Sequence, residues 1–151
     1  MLAIDSSALA LTVAADCSLR NGVSDTIEFQ RASAREVLRA AGPNGGFDMV
    51  VCDPPKLSPS RSTRSRALTA MRRLAALASH ATVPGGLLVL SSCSAAISVF
   101  DLTRCLALGA RDVGLHPTVV ERLFQGPDHP VAAAFVEGLY LSTVIAEIVP
   151  I

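Results

Sequence analysis

The stretch FDMVVCDPPK, residues 47–56, decides how the rest of the chain is read. Phe47 to Cys52 is too uniformly apolar for a half-exposed strand and too short for a helix, so it reads as a central, buried strand. The cluster Gly42-Pro43-Asn44-Gly45-Gly46 breaks the chain before it, and Pro54-Pro55 ends it. The two prolines remove backbone donors and fix the chain beyond the strand, so Asp53 projects in a defined direction. That rigidity suits a catalytic carboxylate. It also suits a plain strand terminator, and both readings stand at this point.

On either side, short apolar runs alternate with helical patterns. Met1 to Ile4 is a short strand ending in Asp5; Ser6 and Ser7 are candidate N-caps for a helix to about Arg20, closed by Asn21-Gly22. A strand over 27–31 and a helix over 34–41 follow. Beyond residue 56 a Ser/Arg-rich loop leads to Leu68, Met71, Leu74, Ala75 and Ala78 at helical spacing. Pro84-Gly85-Gly86 turns into LLVLSS, a second buried strand, and a helix over 96–108 leads to Val113–Phe124. Leu139–Val149 suits an antiparallel closing hairpin. The alternation implies an α/β fold with a doubly wound sheet and right-handed crossovers, whose ligands bind outside the carboxyl ends of the strands. The residues at those ends are Asp5, Asp53 to Lys56, and Ser91 to Ser94.

Composition narrows the classes further. Half of the 151 residues are apolar and 4% are aromatic, with no Trp, so a core of Ala, Leu, Val and Ile is expected and a disordered or fibrous chain is excluded. Thirteen basic residues balance thirteen acidic ones, so any pull toward nucleic acid is local. It lies between Asp53 and Asp101, an interval without acid, where Lys56, Arg61, Arg64, Arg66, Arg72 and Arg73 crowd the first part. These cations fit nucleic-acid phosphates or a solvated helix face equally. Cys17, Cys52, Cys93 and Cys105 show no pair spacing and no His at finger spacing, so no metal site or disulfide framework is expected, and a reducing cytoplasm fits. The apolar opening has no basic start and carries Asp5 inside it, which argues against a leader, and no run is long enough to span a membrane.

Individual residues carry different weight. Asp5, at a strand end, can accept both hydroxyls of a ribose or merely serve the following helix. Cys17 and Cys105 read as inert core fillers, and alternation turns Cys52 into packing. Cys93 sits among hydroxyls at a strand end and ahead of an expected helix start, where a helix dipole favours a thiolate.

FDMVVCDPPK, PGGLLVLSSCS at 84–94, the strand-end Asp5-Ser6-Ser7, and DHPV with EGLYL between 128 and 141 together resemble one family. It is the large-subunit ribosomal RNA cytosine-5 methyltransferases that carry an N-terminal PUA domain, and the resemblance covers nearly the whole chain. It implies a Rossmann-like class I methyltransferase sheet using S-adenosylmethionine. Cys93 matches the nucleophile that adds to carbon 6 of cytosine, and Asp53 the carboxylate that hydrogen-bonds the ring nitrogen. Asp5, Ser6, Ser33, Asp53 and Pro54 would hold the cofactor; Pro55, Lys56, Arg61, Arg64, Arg66 and His129 would face the RNA, His129 by shaping the loop over the site.

The resemblance has gaps. In the family a central strand with a Gly-rich loop precedes the position of Asp5, and Ser33 stands where an acid usually contacts adenine. Residues 1–151 are therefore expected to be a partial catalytic domain, lacking that first strand and the PUA-like domain. Each buried backbone group left unpaired costs about 1 to 3 kcal/mol, against a net stability of about 5 to 15 kcal/mol. Such a chain is expected to be unstable alone, to close the gap by direct strand pairing, or to take a strand from a second copy or a complementing N-terminal segment. Two other functions fit the motifs: an N-methyltransferase using Asp-Pro-Pro without Cys93, and an inactive module that binds RNA or a sister subunit.

Overall fold

A computed structural model describes residues 1–42, 46–57 and 63–151. The chain divides into two compact units, Met1–Ala40 and Ala41–Ile151. Among the described residues the strands hydrogen-bond in two sheets: a parallel pair in the first unit and a four-stranded sheet in the second.

In the first unit β1 (Leu2–Asp5) pairs in parallel with β2 (Glu28–Arg31), Asp5 lying opposite Arg31. A parallel pair needs a crossover, and α1 (Ala8–Arg20) supplies it. Ser7 caps this helix, its hydroxyl accepting from the N–H of Ala10, and Asn21 closes the other end. Gly22 then turns the chain with φ +67°, a conformation that a side chain disfavours. A short α2 (Ala34–Ala40) follows β2. Cys17 lies exposed on α1, so the expectation that it fills the core is corrected. The apolar composition of α1 hid this: Leu9, Val13 and Leu19 are exposed as well.

The second unit holds β3 (Phe47–Cys52), α3 (Arg64–Ala81), β4 (Thr82–Ser92), α4 (Val99–Arg111), β5 (Leu115–Leu123) and β6 (Ser142–Pro150). The strand order is β3-β4-β6-β5, with β3 and β4 parallel and β6 antiparallel to both its neighbours. The closing strands are antiparallel as expected, but β6 inserts between β4 and β5. Along β6, Val144, Ala146 and Ile148 are fully buried while the intervening residues are not, the period-two signature of a sheet packed on one face. Leu88 and Leu90 of β4 join that buried face, as do Met71, Ala75 and Ala78 of α3 and Leu102, Leu106 and Ala110 of α4. A fully buried Leu contributes about 1.5 to 3 kcal/mol, so this layer is the core of the unit.

The two helices approach closely because their contact residues are small. A Cβ added to Gly109 would stand 2.6 Å from the carbonyl oxygen of Arg72 and 2.9 Å from Cβ of Ala75. Arg72 also pairs with Asp112 across this end of the helices, both groups half exposed.

Two sequence expectations change here. Among the described residues β3 pairs only with β4, so it is an edge strand, not a central one. Val50 and Cys52 are buried, whereas Met49 and Val51 are 53% and 64% exposed. A run apolar on both faces records what a strand suits, not what lies beside it. The strand after α3 also starts earlier than expected, at Thr82, because Pro84-Gly85 forms an irregularity in the ladder opposite Phe47–Met49 rather than a separate turn. Among the described residues no helix is long and apolar enough to cross a membrane.

Candidate active site

The second unit brings its chemistry to the carboxyl ends of two adjacent parallel strands. Cys52 pairs with Leu90 as the last rung between β3 and β4. Asp53 is the next residue on one side; Ser91, Ser92 and Cys93 follow on the other. Asp53, Pro55 and Lys56 are exposed, Pro54 is partly covered, and Cys93 is half-buried. The strand pairing thus sets a carboxylate and a thiol at one sheet edge, as the motifs predict. Cys52 instead points into the core, where burial pushes its thiol up to about 11.

The antiparallel neighbour adds a part that sequence reasoning missed. Ser142, the first residue of β6, pairs with Ser92, so the end of the EGLYL segment lies beside the residue preceding Cys93. A hydrogen bond of 2.8 Å between the hydroxyls of Ser91 and Thr143 fastens the two strands there. Farther up the tail, Gln125 works as a clasp. Its carbonyl oxygen accepts from the N–H groups of Tyr140 and Leu141 at 2.8 and 2.9 Å, and its amide donates to the carbonyl of Gly138 at 2.8 Å. His129 is exposed and meets the Tyr140 ring edge-on at 6.4 Å. Only the coincidence of a polar residue at a strand end with a following Gly-Pro could have flagged Gln125.

After Cys93 the chain makes a turn, the N–H of Ile97 donating to the carbonyl of Ser94 at 3.0 Å. Only then does α4 begin, with Ser98 as its N-cap and Asp101 closing a capping box. The helix starts at Val99 rather than near residue 96, so the expected support of its N-terminus for Cys93 is replaced by a turn. Asp101 feels burial, which raises its carboxyl, but the N–H and hydroxyl of Ser98 and the Arg64 guanidinium outweigh it and hold the group below the ordinary value.

The basic residues separate on inspection. Lys56 and Arg66 are exposed; Arg61 lies outside the described residues. Arg64 is engaged within the protein, Nε donating to the carbonyl of Ala96 at 2.9 Å and Nη2 to Asp101 at 2.7 Å. In the first unit, Asp5, Ser6 and Ser33 gather at the ends of β1 and β2. The Asp5 carboxylate accepts from the N–H of Ser7 through Oδ1 at 2.7 Å, and Oδ2 has no hydrogen bond among the described residues. Arg31 donates to the carbonyl of Ser6 at 3.2 Å and steadies this corner. Ser33 is exposed, and its carbonyl accepts from the N–H groups of Glu36 and Val37 in the following helix. Among the described residues no group of three His, Cys, Asp or Glu side chains could hold a metal ion.

No family model matches the chain. Over 147 residues, 96% of its length, it is 33% identical to the ribosomal RNA large subunit methyltransferase I of Shewanella denitrificans. It is 36% identical over 103 residues, 68% of the chain, to the protein of the same name in Pseudoalteromonas atlantica, of which that match spans 26%. The chain spans 37% of the length of the Shewanella protein. Among solved structures it superposes on a protein from Streptococcus mutans, provisionally assigned as SAM-dependent methyltransferase, with TM-score 0.76 and 12% identity. That match covers 97% of this chain and 38% of the other. TrmN from Thermus thermophilus gives TM-score 0.61 at 20% identity over 97% of this chain and 35% of its own. These likenesses establish a Rossmann-like α/β fold of the methyltransferase type.

Proposed function

We propose that this chain forms part of an S-adenosylmethionine-dependent methyltransferase acting on ribosomal RNA, with carbon 5 of a cytosine as the methylated atom and Cys93 as the nucleophile. The observation that carries the proposal is the placement of Cys93 and Asp53 at the ends of adjacent parallel strands. The similarity to proteins named ribosomal RNA large subunit methyltransferase I supports the reaction class and the substrate.

Carbon 5 of cytosine is a weak nucleophile. Attack of the Cys93 thiolate on carbon 6 raises electron density at carbon 5, and Asp53, hydrogen-bonded to the ring nitrogen, stabilises the charge that develops. Once carbon 5 is methylated, a base removes its proton; the electron pair re-forms the ring double bond, the carbon–sulfur bond breaks, and Cys93 is released. A paired or stacked target must first be flipped out of its helix. Lys56, Arg61 and Arg66 would contact phosphates, contributing affinity without sequence readout, while Pro55 and the His129 loop border the base.

S-adenosylmethionine, when bound, supplies an electrophilic methyl group on sulfur. In the first unit the Oδ2 of Asp5 suits a ribose hydroxyl, and Ser6 and Ser33 offer further hydrogen bonds. The proposed surroundings are the cytoplasm, and the proposed partners are RNA and a further strand, from a second copy or a complementing segment, along the open edge of β3.

The test uses ribosomal RNA with 5-fluorocytidine in place of cytidine. Fluorine replaces the proton whose removal frees the thiol, so a covalent protein–RNA adduct should accumulate with S-adenosylmethionine and disappear in Cys93→Ala. Methyl transfer that persists in Cys93→Ala would overturn the cytosine-5 reading and favour transfer to an amino group.

A further inference from the structure

Among the described cations of the second unit, Arg64 alone joins a backbone carbonyl and a carboxylate. It is the first residue of α3, and its fork reaches Ala96 and Asp101, on either side of the start of α4. Ala96 lies inside the turn that directly follows Cys93. Asp101 in turn accepts from the N–H and hydroxyl of Ser98 at 3.0 and 2.8 Å, so the guanidinium and the capping box form one connected set. Ser94 and Ile97, the ends of the turn, are 1% and 2% exposed. On its other side Cys93 is anchored by the β4–β6 ladder and by the Ser91–Thr143 bond.

We infer that Arg64 is a positioning residue for Cys93: it fixes the turn that carries the thiol and ties it to the helix that follows the Asp53 loop. This role rests on the proposed function of Cys93, and it removes Arg64 from the set of RNA-phosphate contacts. The guanidinium is 45% exposed and its Asp101 partner 22%, so the ion pair by itself adds little stability. Its value is directional. A planar fork holds two acceptors at fixed angles, which an ammonium group cannot copy.

Two measurements on the full chain test the role. The first is the rate of alkylation of Cys93 by iodoacetamide, read by peptide mass spectrometry, with exposed Cys17 as internal reference. Release of the turn in Arg64→Ala should raise the Cys93 rate, relative to Cys17, by about threefold or more through local opening. Arg64→Lys should fall between, and Asp101→Asn should move the rate in the same direction. The second is methyl transfer to RNA: kcat should fall about 10- to 100-fold, the scale of a small misplacement of a reacting group, with KM for RNA unchanged.

A phosphate contact predicts the opposite split: KM rises, its salt dependence weakens, and Cys93 alkylation stays at the wild-type rate. That result would overturn the inference, as would unchanged alkylation in all three variants. Alkylation does not depend on methyl transfer, so persistence of transfer in Cys93→Ala would overturn the proposed nucleophile while leaving the Arg64 contact to be judged by thiol exposure alone.

Discussion

Replacing Gly109 with alanine tests whether the α3–α4 contact is as tight as it looks. In an open helix the change should stabilise by about 1 kcal/mol, since glycine is the poorer helix former. Here the new Cβ would stand 2.6 Å from the Arg72 carbonyl oxygen, 2.8 Å from the Ala76 nitrogen and 2.9 Å from Cβ of Ala75. Two of those atoms are backbone and cannot rotate away, so the helices must separate. Overpacking of this kind costs about 1 to 3 kcal/mol, and parting the helices also loosens the dispersion contacts of Met71, Leu102 and Leu106, all nearly fully buried. We expect a net loss of about 2 kcal/mol. With a urea slope of about 1 to 3 kcal/mol per molar, the midpoint should fall by roughly 1 M in denaturation followed by circular dichroism. Ala107→Gly, on the exposed side of α4, is the propensity control and should lose about 1 kcal/mol. A Gly109→Ala chain as stable as the parent, or more stable, would show that the crossing is looser than described and refute the reasoning.

Other consequences are open to direct measurement. Ser79 is fully buried and its hydroxyl has no hydrogen-bond partner among the described residues, so Ser79→Ala should leave stability unchanged or raise it by up to about 1 kcal/mol; a loss of about 1 kcal/mol or more in thermal unfolding would count against this. The unfolded Cys52 thiol ionises at 9.0 and the folded one at about 11. Between those values the unfolded state has already lost its proton, so stability falls with rising pH by about 1.4 kcal/mol per pH unit from this group. The stability gap between parent and Cys52→Ala should therefore narrow from pH 9 to 11, and a constant gap would count against the burial. Gln125→Ala removes the bonds to Gly138, Tyr140 and Leu141; hydrogen exchange at the Tyr140 and Leu141 amides should accelerate at least about tenfold, while the β6 amides from Val144 onward stay protected.

Much of this arrangement was legible in the sequence because the strands are self-announcing. FDMVVC occupies its expected bounds, and SSCS and DPPK fall at the ends of neighbouring strands, as expected. Strand order was not legible: nothing local in Ser142–Pro150 says that it lies between β4 and β5, since its partners are distant along the chain. The partners of Arg64 were not legible for a related reason. Its charge and neighbours match those of Arg66, and only the fold brings Ala96 and Asp101 within its reach. Cys17 reads like Cys105 as a letter, yet one is exposed on a thinly packed helix and the other is buried.

The open side of β3 has a practical bearing on handling the protein. Val51 and Met49 present apolar surface beside backbone groups that no described strand pairs, the combination from which chain-to-chain β-stacking starts. Concentrated samples should accumulate oligomers that bind thioflavin, faster as temperature rises and the sheet loosens. Val51→Lys, a charge placed on the exposed side chain of that margin, should slow their growth without disturbing Val50 or Cys52 beneath it. Preparations for crystallography or titration would then gain shelf life from a change on the margin of β3, just ahead of Asp53.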